Sequence, residues 1–386
     1  MSSSTEPRVG GGTSSRAHVT GGGTVPIVAA ALVGGGFMGE VHARALRAAG
    51  IPIVGVASSS AASAERAAER LRLDRAYASV DELFADDAVT LVHVLTPNDS
   101  HASLAAAALA AGKHVVCEKP LATSVADARA LVDQAAASDR ITAVPFVYRF
   151  HPMVREARGR IARGETGRLL SVQGAYLQDW LLAADDDNWR VDSAAGGPSR
   201  AFADIGSHLC DLLEFIAGER ITRLTARTRT VHAERGGHPV ATEDLVGVLA
   251  ELEGGAVVSL LVSQVAPGRK NGLVLELHGE AESLRFVQER PEELWIGRRR
   301  ESLLHLRNPD ELQGDAARLS VLPAGHPLGY QDAFTAFVAD TARSIREGGA
   351  VDALPGFADG LRAAQLTEAV LASAGRDTWV DLPALA

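Results

Sequence analysis

Cysteine is nearly absent: Cys117 and Cys210 are the only two in 386 residues. They form no C-x-x-C pair, so neither a zinc ribbon nor a redox dithiol has support, and two thiols do not make a disulfide framework. A reducing, cytoplasmic setting is expected. There is no long basic run, and the formal net charge is −10. Nucleic acid and anionic membrane are therefore excluded as main partners. The longest apolar stretch, around residues 26–33, is too short and too glycine-bounded to span a bilayer. Residues 1–24 are rich in Ser, Gly and Thr and have no apolar segment. They read as a disordered tail and not as a secretory signal. No internal repeat is visible.

What remains is an ordinary globular composition, 46% hydrophobic and 22% charged. At this length two domains are expected. Between residues 25 and 147, short apolar runs (27–33, 51–57, 91–95, 114–117, 141–147) alternate with alanine-rich helical patterns (37–49, 61–72, 100–111, 125–138). That alternation predicts a parallel sheet covered on both faces. From 148 to 386 the pattern changes. Alternating runs at 169–176, 221–231, 244–252, 256–262, 273–278 and 283–287 follow one another through short turns, with helices expected at 201–216, 330–346 and 356–373. Glu253-Gly254-Gly255 is a hairpin signal. The expected fold is α/β: a dinucleotide-binding domain, then an α+β domain with a large, open, mostly antiparallel sheet.

Gly34-Gly35-Gly36-Phe37-Met38-Gly39 fits G-x-G-x-x-G at Gly34, Gly36 and Gly39, after a strand and opening a helix. The first glycine permits the turn, the second lets a pyrophosphate approach, and the third lets helix and sheet pack closely. The amides of Phe37 and Met38 then face the phosphates. A ligand-free glycine turn is the alternative. The ribose-binding acid usual ~20 residues further on is missing; Ser58 and Ser59 stand there instead. Either serine can bond the ribose, so NAD and NADP both remain open.

Thr96-Pro97-Asn98 with His101, and Glu118-Lys119-Pro120, follow the ends of two strands, where open α/β sheets bind ligands. The Lys119 ammonium can hold a substrate hydroxyl and stabilise a developing alkoxide, or simply pair with Glu118. Asp204 and His208 are four apart, so one helical face can present both. The histidine suits a proton acceptor and the carboxylate suits its orienter. A helix cap and a surface histidine is the blander reading. No third ligand suggests zinc, and Asp185–Asp187 lacks the spacing of an EF-hand loop, so a solvated loop is expected there.

Taken together, the glycine loop, Thr96-Pro97-Asn98 with His101, the run from Gly112 to Leu121 containing Glu118-Lys119-Pro120, and the Asp204/His208 block resemble the Gfo/Idh/MocA oxidoreductases. The resemblance runs from about residue 25 to the C-terminus. It implies a Rossmann domain followed by an α/β domain whose open sheet often forms an oligomer interface, here a dimer or tetramer. It also implies NAD- or NADP-dependent oxidation or reduction of a sugar, cyclitol or polyol, with NAD slightly favoured. Carried over, Lys119 positions the hydroxyl, His208 is the acid/base, Asp204 supports it, and Asp211 lines the pocket. Tyr148-Arg149-Phe150, Tyr176 through Trp180, Asn188-Trp189-Arg190 and Gly268-Arg269-Lys270-Asn271 resemble the branch containing levoglucosan dehydrogenase and glucoside 3-dehydrogenases. That implies Tyr148, Gln178 and Arg190 face the sugar. Aromatic faces and planar donors suit a sugar ring; Trp180, and His326 from a later loop, are further candidates. Two rivals are redox-assisted glycoside elimination or hydrolysis with tightly held NAD, and a non-catalytic dinucleotide sensor.

Overall fold

The computed structural model describes residues 27–383, so the tail expected at 1–24 lies outside the described residues. The first half runs β1 (Ala30–Val33), α1 (Phe37–Ala48), β2 (Ile53–Ala57), α2 (Ala61–Leu71), α3 (Val80–Ala85), β3 (Leu91–Val94), α4 (His101–Ala110), β4 (His114–Cys117), α5 (Val125–Ala136) and β5 (Thr142–Ala143). The five strands form one parallel sheet in the order β2-β1-β3-β4-β5. β1 and β3 are buried along their whole length, as strands covered on both faces must be. The order reverses between β1 and β3, which opens a crevice at their carboxyl ends.

The second half runs α6 (Pro152–Ala162), β6 (Leu169–Leu177), α7 (Ser193–Gly196), α8 (Ser207–Ala217), β7 (Ile221–Arg229), β8 (Glu234–Arg235), β9 (His238–Pro239), β10 (Leu245–Leu252), β11 (Val257–Ser263), β12 (Gly272–Gly279), β13 (Ser283–Val287), β14 (Glu293–Gly297), β15 (Ser302–Leu306), α9 (Gly314–Leu319), α10 (Tyr330–Glu347), α11 (Phe357–Arg376) and β16 (Val380–Asp381). Nine strands make one sheet, β15-β14-β13-β12-β6-β11-β10-β7-β16. Only the β6–β11 pair is parallel. Val246, Val248 and Ala250 of β10 and Val258, Leu260 and Val262 of β11 face a core shared with Leu209 and Leu213 of α8. Their alternates Leu249, Val257 and Leu261 are exposed. One face of the sheet is thus packed and the other open, as period-two alternation requires. Among the described residues, no helix is long and apolar enough to cross a membrane.

The two C-terminal helices return to the first domain. Phe334, Phe337 and Val338 of α10 join the core on the α1 side of the parallel sheet, and Phe357 and Leu361 of α11 join the core on the other.

Several short elements, among them α3, α6, α9, β14 and β15, were not legible. In α6 the buried face includes Arg155 and Glu156, so apolar periodicity is broken there. The single helix expected over 201–216 instead begins as a π-turn, Phe202–Gly206, that runs into α8. Such wide turns concentrate at functional sites. Its start is anchored by Glu243, whose Oε1 accepts from Ser199 Oγ (2.7 Å), Arg200 N (3.1 Å) and Phe202 N (2.9 Å). Next to it, the fully buried Asp244 carboxylate sits between the guanidinium groups of Arg200 and Arg235. Removing it leaves two buried cations without their anion. We expect Asp244→Ala to cost about 3–5 kcal/mol, read as a lower urea midpoint at unchanged slope.

Candidate active site

The four glycines of the dinucleotide turn each have a steric reason to lack a side chain or to face free space. Gly34 has φ 105°, and a Cβ there would lie 2.7 Å from Leu95 O. At Gly35 a Cβ would lie 2.3 Å from the Cβ of Ala67, so α2 packs directly on the turn. Gly36 faces open space, with nothing within 4 Å, as a phosphate-approach position should. Gly39 would press on Gly34 O at 3.0 Å. Phe37 and Met38 head α1 and line the cavity beside it. The turn fits a dinucleotide pyrophosphate. Ser58 and Ser59 follow β2 at the partly open rim, while Ser60 caps α2 through Ser63 N. Arg70 of α2 bonds the Gly35 carbonyl, an arginine near the turn that spacing alone had not revealed.

Between the turn and the second sheet lies a cavity of about 420 Å³. Lys119, at the end of β4, donates from Nζ to Asp204 Oδ1 at 2.6 Å and to Asp204 O at 2.8 Å. Gln264, following β11, donates to Asp204 Oδ2 at 2.9 Å, and Arg190 Nε lies 3.5 Å from Oδ1. Burial alone would raise the Asp204 carboxyl, but Lys119 and Arg190 hold it down at about 2. His208 lies in the same cavity, its ring edge-on to Phe146 and Tyr148 at 5.6 and 5.2 Å between centroids. Burial, then the Lys119 charge, pushes its imidazole down to about 3. It is neutral at physiological pH. The expected Asp204–His208 support is not seen: the carboxylate is committed to Lys119 and Gln264, and His208 Nδ1 is buried without a partner. The π-turn carries Asp204 toward the first domain instead.

The remaining expected residues divide cleanly. Tyr148, Gln178, Trp180, Arg190 and Glu118 line the cavity. Glu118 also accepts from His42 Nε2 at 3.0 Å, and His42 Nδ1 meets His93 Nδ1 at 2.8 Å, a buried line beneath α1. His101 is buried between two carbonyls, its Nε2 2.8 Å from Thr96 O and its Nδ1 2.7 Å from Pro120 O. It ties the two strand-end loops together and presents nothing to a ligand. Asn98 Nδ2 donates to Gly196 O at 2.9 Å, joining the Thr96-Pro97-Asn98 loop to α7. Asp211 does not line the cavity. Arg149 claims it, with Nε 2.8 Å from Oδ2, and also bonds Asp359 at the head of α11. His326 does not line it either: its loop is exposed, and its carbonyl is held by Arg307 at 2.7 Å. Asp185–Asp187 belongs to no cluster suited to a metal among the described residues.

Tyr176, Gln264 and Asn271 were missed. Tyr176 Oη meets Tyr148 Oη at 2.5 Å and donates to Asn271 Oδ1 at 2.7 Å. Tyr176 stands two residues before Gln178 at the end of β6, hence on the same strand face, and that spacing was the available signal.

Two family descriptions match the chain. "Oxidoreductase family, NAD-binding Rossmann fold" matches residues 28–146, and "GFO/IDH/MocA C-terminal domain" matches residues 154–285. Levoglucosan dehydrogenase of Pseudarthrobacter phenanthrenivorans is 32% identical, over 91% of this chain and 97% of the relative. A solved levoglucosan dehydrogenase in complex with NADH and levoglucosan superposes with a TM-score of 0.86 at 32% identity, covering 92% of this chain and 99% of that one. An inositol dehydrogenase homolog from Azotobacter vinelandii, complexed with NADH and myo-inositol, gives 0.84 at 28% identity, covering 92% and 97%.

The buried histidines give the fold a pH dependence. Burial holds His151 at about 4 and, with Lys119, His208 at about 3, both below the usual 6.5. The unfolded chain therefore binds more protons than the folded one once pH drops below 6.5, and stability falls with pH from there toward 4. Asp204, held low, adds its loss only below the ordinary carboxyl range. Urea midpoints are expected to decline from pH 7 to pH 4.5, and less steeply in His151→Gln.

Proposed function

The chain belongs to the GFO/IDH/MocA oxidoreductase family, and on that premise we propose that it oxidises a secondary hydroxyl of a sugar, glycoside or cyclitol. The carrying observation is that the Lys119 ammonium and the neutral His208 imidazole line one cavity beside the dinucleotide turn, together with Tyr148, Gln178 and Arg190. The bound dinucleotide supplies the hydride acceptor. Lys119 holds the substrate oxygen and stabilises its growing negative charge. His208 takes the hydroxyl proton. Asp204 holds Lys119 in place and is itself held by Gln264. The relatives that superpose on this chain were solved with levoglucosan and with myo-inositol, which supports a polyol in this cavity.

NAD is the preferred dinucleotide in this reading. The two arginines of α2 are both engaged, Arg66 with Ser63 Oγ at 3.0 Å and Arg70 with Gly35 O. That leaves Ser58 and Ser59, which suit ribose hydroxyls better than a 2′-phosphate. We expect NADH to bind more tightly than NADPH in fluorescence titration. Across a panel of pyranosides, anhydrosugars and inositols, net NADH formation is expected. Lys119→Ala and His208→Ala should each lower kcat/KM on an accepted substrate by about 100-fold or more. Wild-type turnover in both variants overturns the assignment. Product without net NADH favours redox-assisted elimination or hydrolysis.

The cytoplasmic placement is supported by two buried, unpaired cysteines. A homo-oligomer is supported by Leu249, Val257 and Leu261, exposed on the open face of β10 and β11. Sedimentation should show a dimer or tetramer, and Leu261→Asp should shift it toward monomer.

A further inference from the structure

Five side chains at the substrate wall form a chain of hydrogen bonds whose direction is set at one end. Trp180 Nε1 can only donate, and it lies 2.7 Å from Gln178 Oε1. That orients the Gln178 amide, so Nε2 is the group that donates to Asn271 Oδ1 at 3.0 Å. Asn271 is oriented in turn: its Nδ2 donates to Tyr148 Oη and to Gln288 Oε1, each at 3.2 Å. Two oxygen–oxygen contacts remain, Tyr148 Oη to Tyr176 Oη at 2.5 Å and Tyr176 Oη to Asn271 Oδ1 at 2.7 Å. Each needs a proton, because facing lone pairs at such distances repel. The two hydroxyl protons are all there are. Tyr176 must therefore donate to Asn271, and Tyr148 must donate to Tyr176. The result is a closed ring, Tyr148 to Tyr176 to Asn271 and back to Tyr148. Asn271 spends both amide hydrogens and both lone pairs.

We propose that Tyr176 and Asn271, with Trp180 setting the polarity, are specificity-determining residues that make Tyr148 an acceptor only and leave Gln178 one donor and one acceptor for the substrate. The wall then reads a polyol with two hydroxyls in fixed roles. One donates to the Tyr148 oxygen, and the other exchanges hydrogen bonds with the Gln178 amide. A buried wall with a fixed proton pattern rejects a partner of the wrong polarity, because a mismatched contact leaves two acceptors or two donors face to face. Tyr148 and Tyr176 are 4% and 2% exposed, so water cannot readily restore the balance. This inference rests on the reading of the cavity as a polyol site, but the ring itself does not.

The two parts are tested separately. Calorimetry on the NADH-loaded protein compares levoglucosan with its monodeoxy and monodeoxyfluoro analogues; a C–F group can accept but not donate. At the hydroxyl that faces Tyr148, the deoxy and fluoro analogues should lose affinity alike, by about tenfold or more. In Tyr176→Phe the Tyr148 proton is released to the cavity, and the fluoro analogue should then bind several-fold better than the deoxy one. A fluoro analogue that outperforms the deoxy analogue at every position of the wild type, or two analogues that stay equal in Tyr176→Phe, overturns the assignment of specificity. If no polyol binds, the substrate reading has failed. Neutron diffraction of deuterium-exchanged crystals then judges the ring alone. Deuterons between Tyr148 and Tyr176 and between Tyr176 and Asn271 are expected, and a Tyr148 deuteron aimed into the cavity overturns it.

Discussion

The Lys119 ammonium reaches from the end of β4 to the carboxylate and carbonyl of Asp204, and this ion pair is the constraint on which the rest of the cleft depends. Its members come from different domains, and both are largely enclosed. An ammonium in so dry a space needs an anion held in good geometry. The fold supplies that geometry from several directions: Gln264 holds the second carboxylate oxygen, and Glu243 anchors the backbone at the start of the π-turn. On the other side, His101 ties the loop carrying Lys119 to the loop after β3. The pair thus pins the two domains together at the cleft, where α10 and α11 already pack the second half of the chain against the first.

Holding Asp204 in this way changes the role of its neighbour. A carboxylate oriented on His208 would raise that imidazole's basicity. Here the carboxylate is bonded to Lys119 and Gln264 instead, and burial with the nearby ammonium keeps the ring neutral. The site therefore separates its functions. In the proposed reaction, Lys119 would carry the charge that an alkoxide needs, and His208 the vacancy that a proton needs. Beside them, the tyrosine and amide wall is neutral, and its internal hydrogen bonds fix which donors and acceptors stay open, so in the proposed reading its selectivity comes from direction of hydrogen bonding and not from charge.

The parallel sheet, the glycine turn and the antiparallel character of the second sheet were legible because each depends on residues near one another in the chain: apolar periods, a turn with no room for a Cβ, a strand followed by a helix. Lys119, Asp204 and His208 were legible as motif residues, and Tyr148, Gln178, Trp180 and Arg190 as resemblance. What periodicity missed were elements with charged buried faces, such as α6 with Arg155 and Glu156.

Sequence by itself determined which residues could do the chemistry; tertiary structure decided which of them meet. Asp211 has the right type and lies three residues beyond His208, yet Arg149, which also bonds Asp359 at the domain junction, takes it out of the cavity. His326 fails for the same kind of reason, its loop being held outward by Arg307. Gln264 and Asn271 enter because β6 is hydrogen-bonded to β11 on one side and β12 on the other, which brings positions nearly a hundred residues apart onto one wall. Sheet register sets such contacts, and register is a property of paired strands that no single strand's sequence contains.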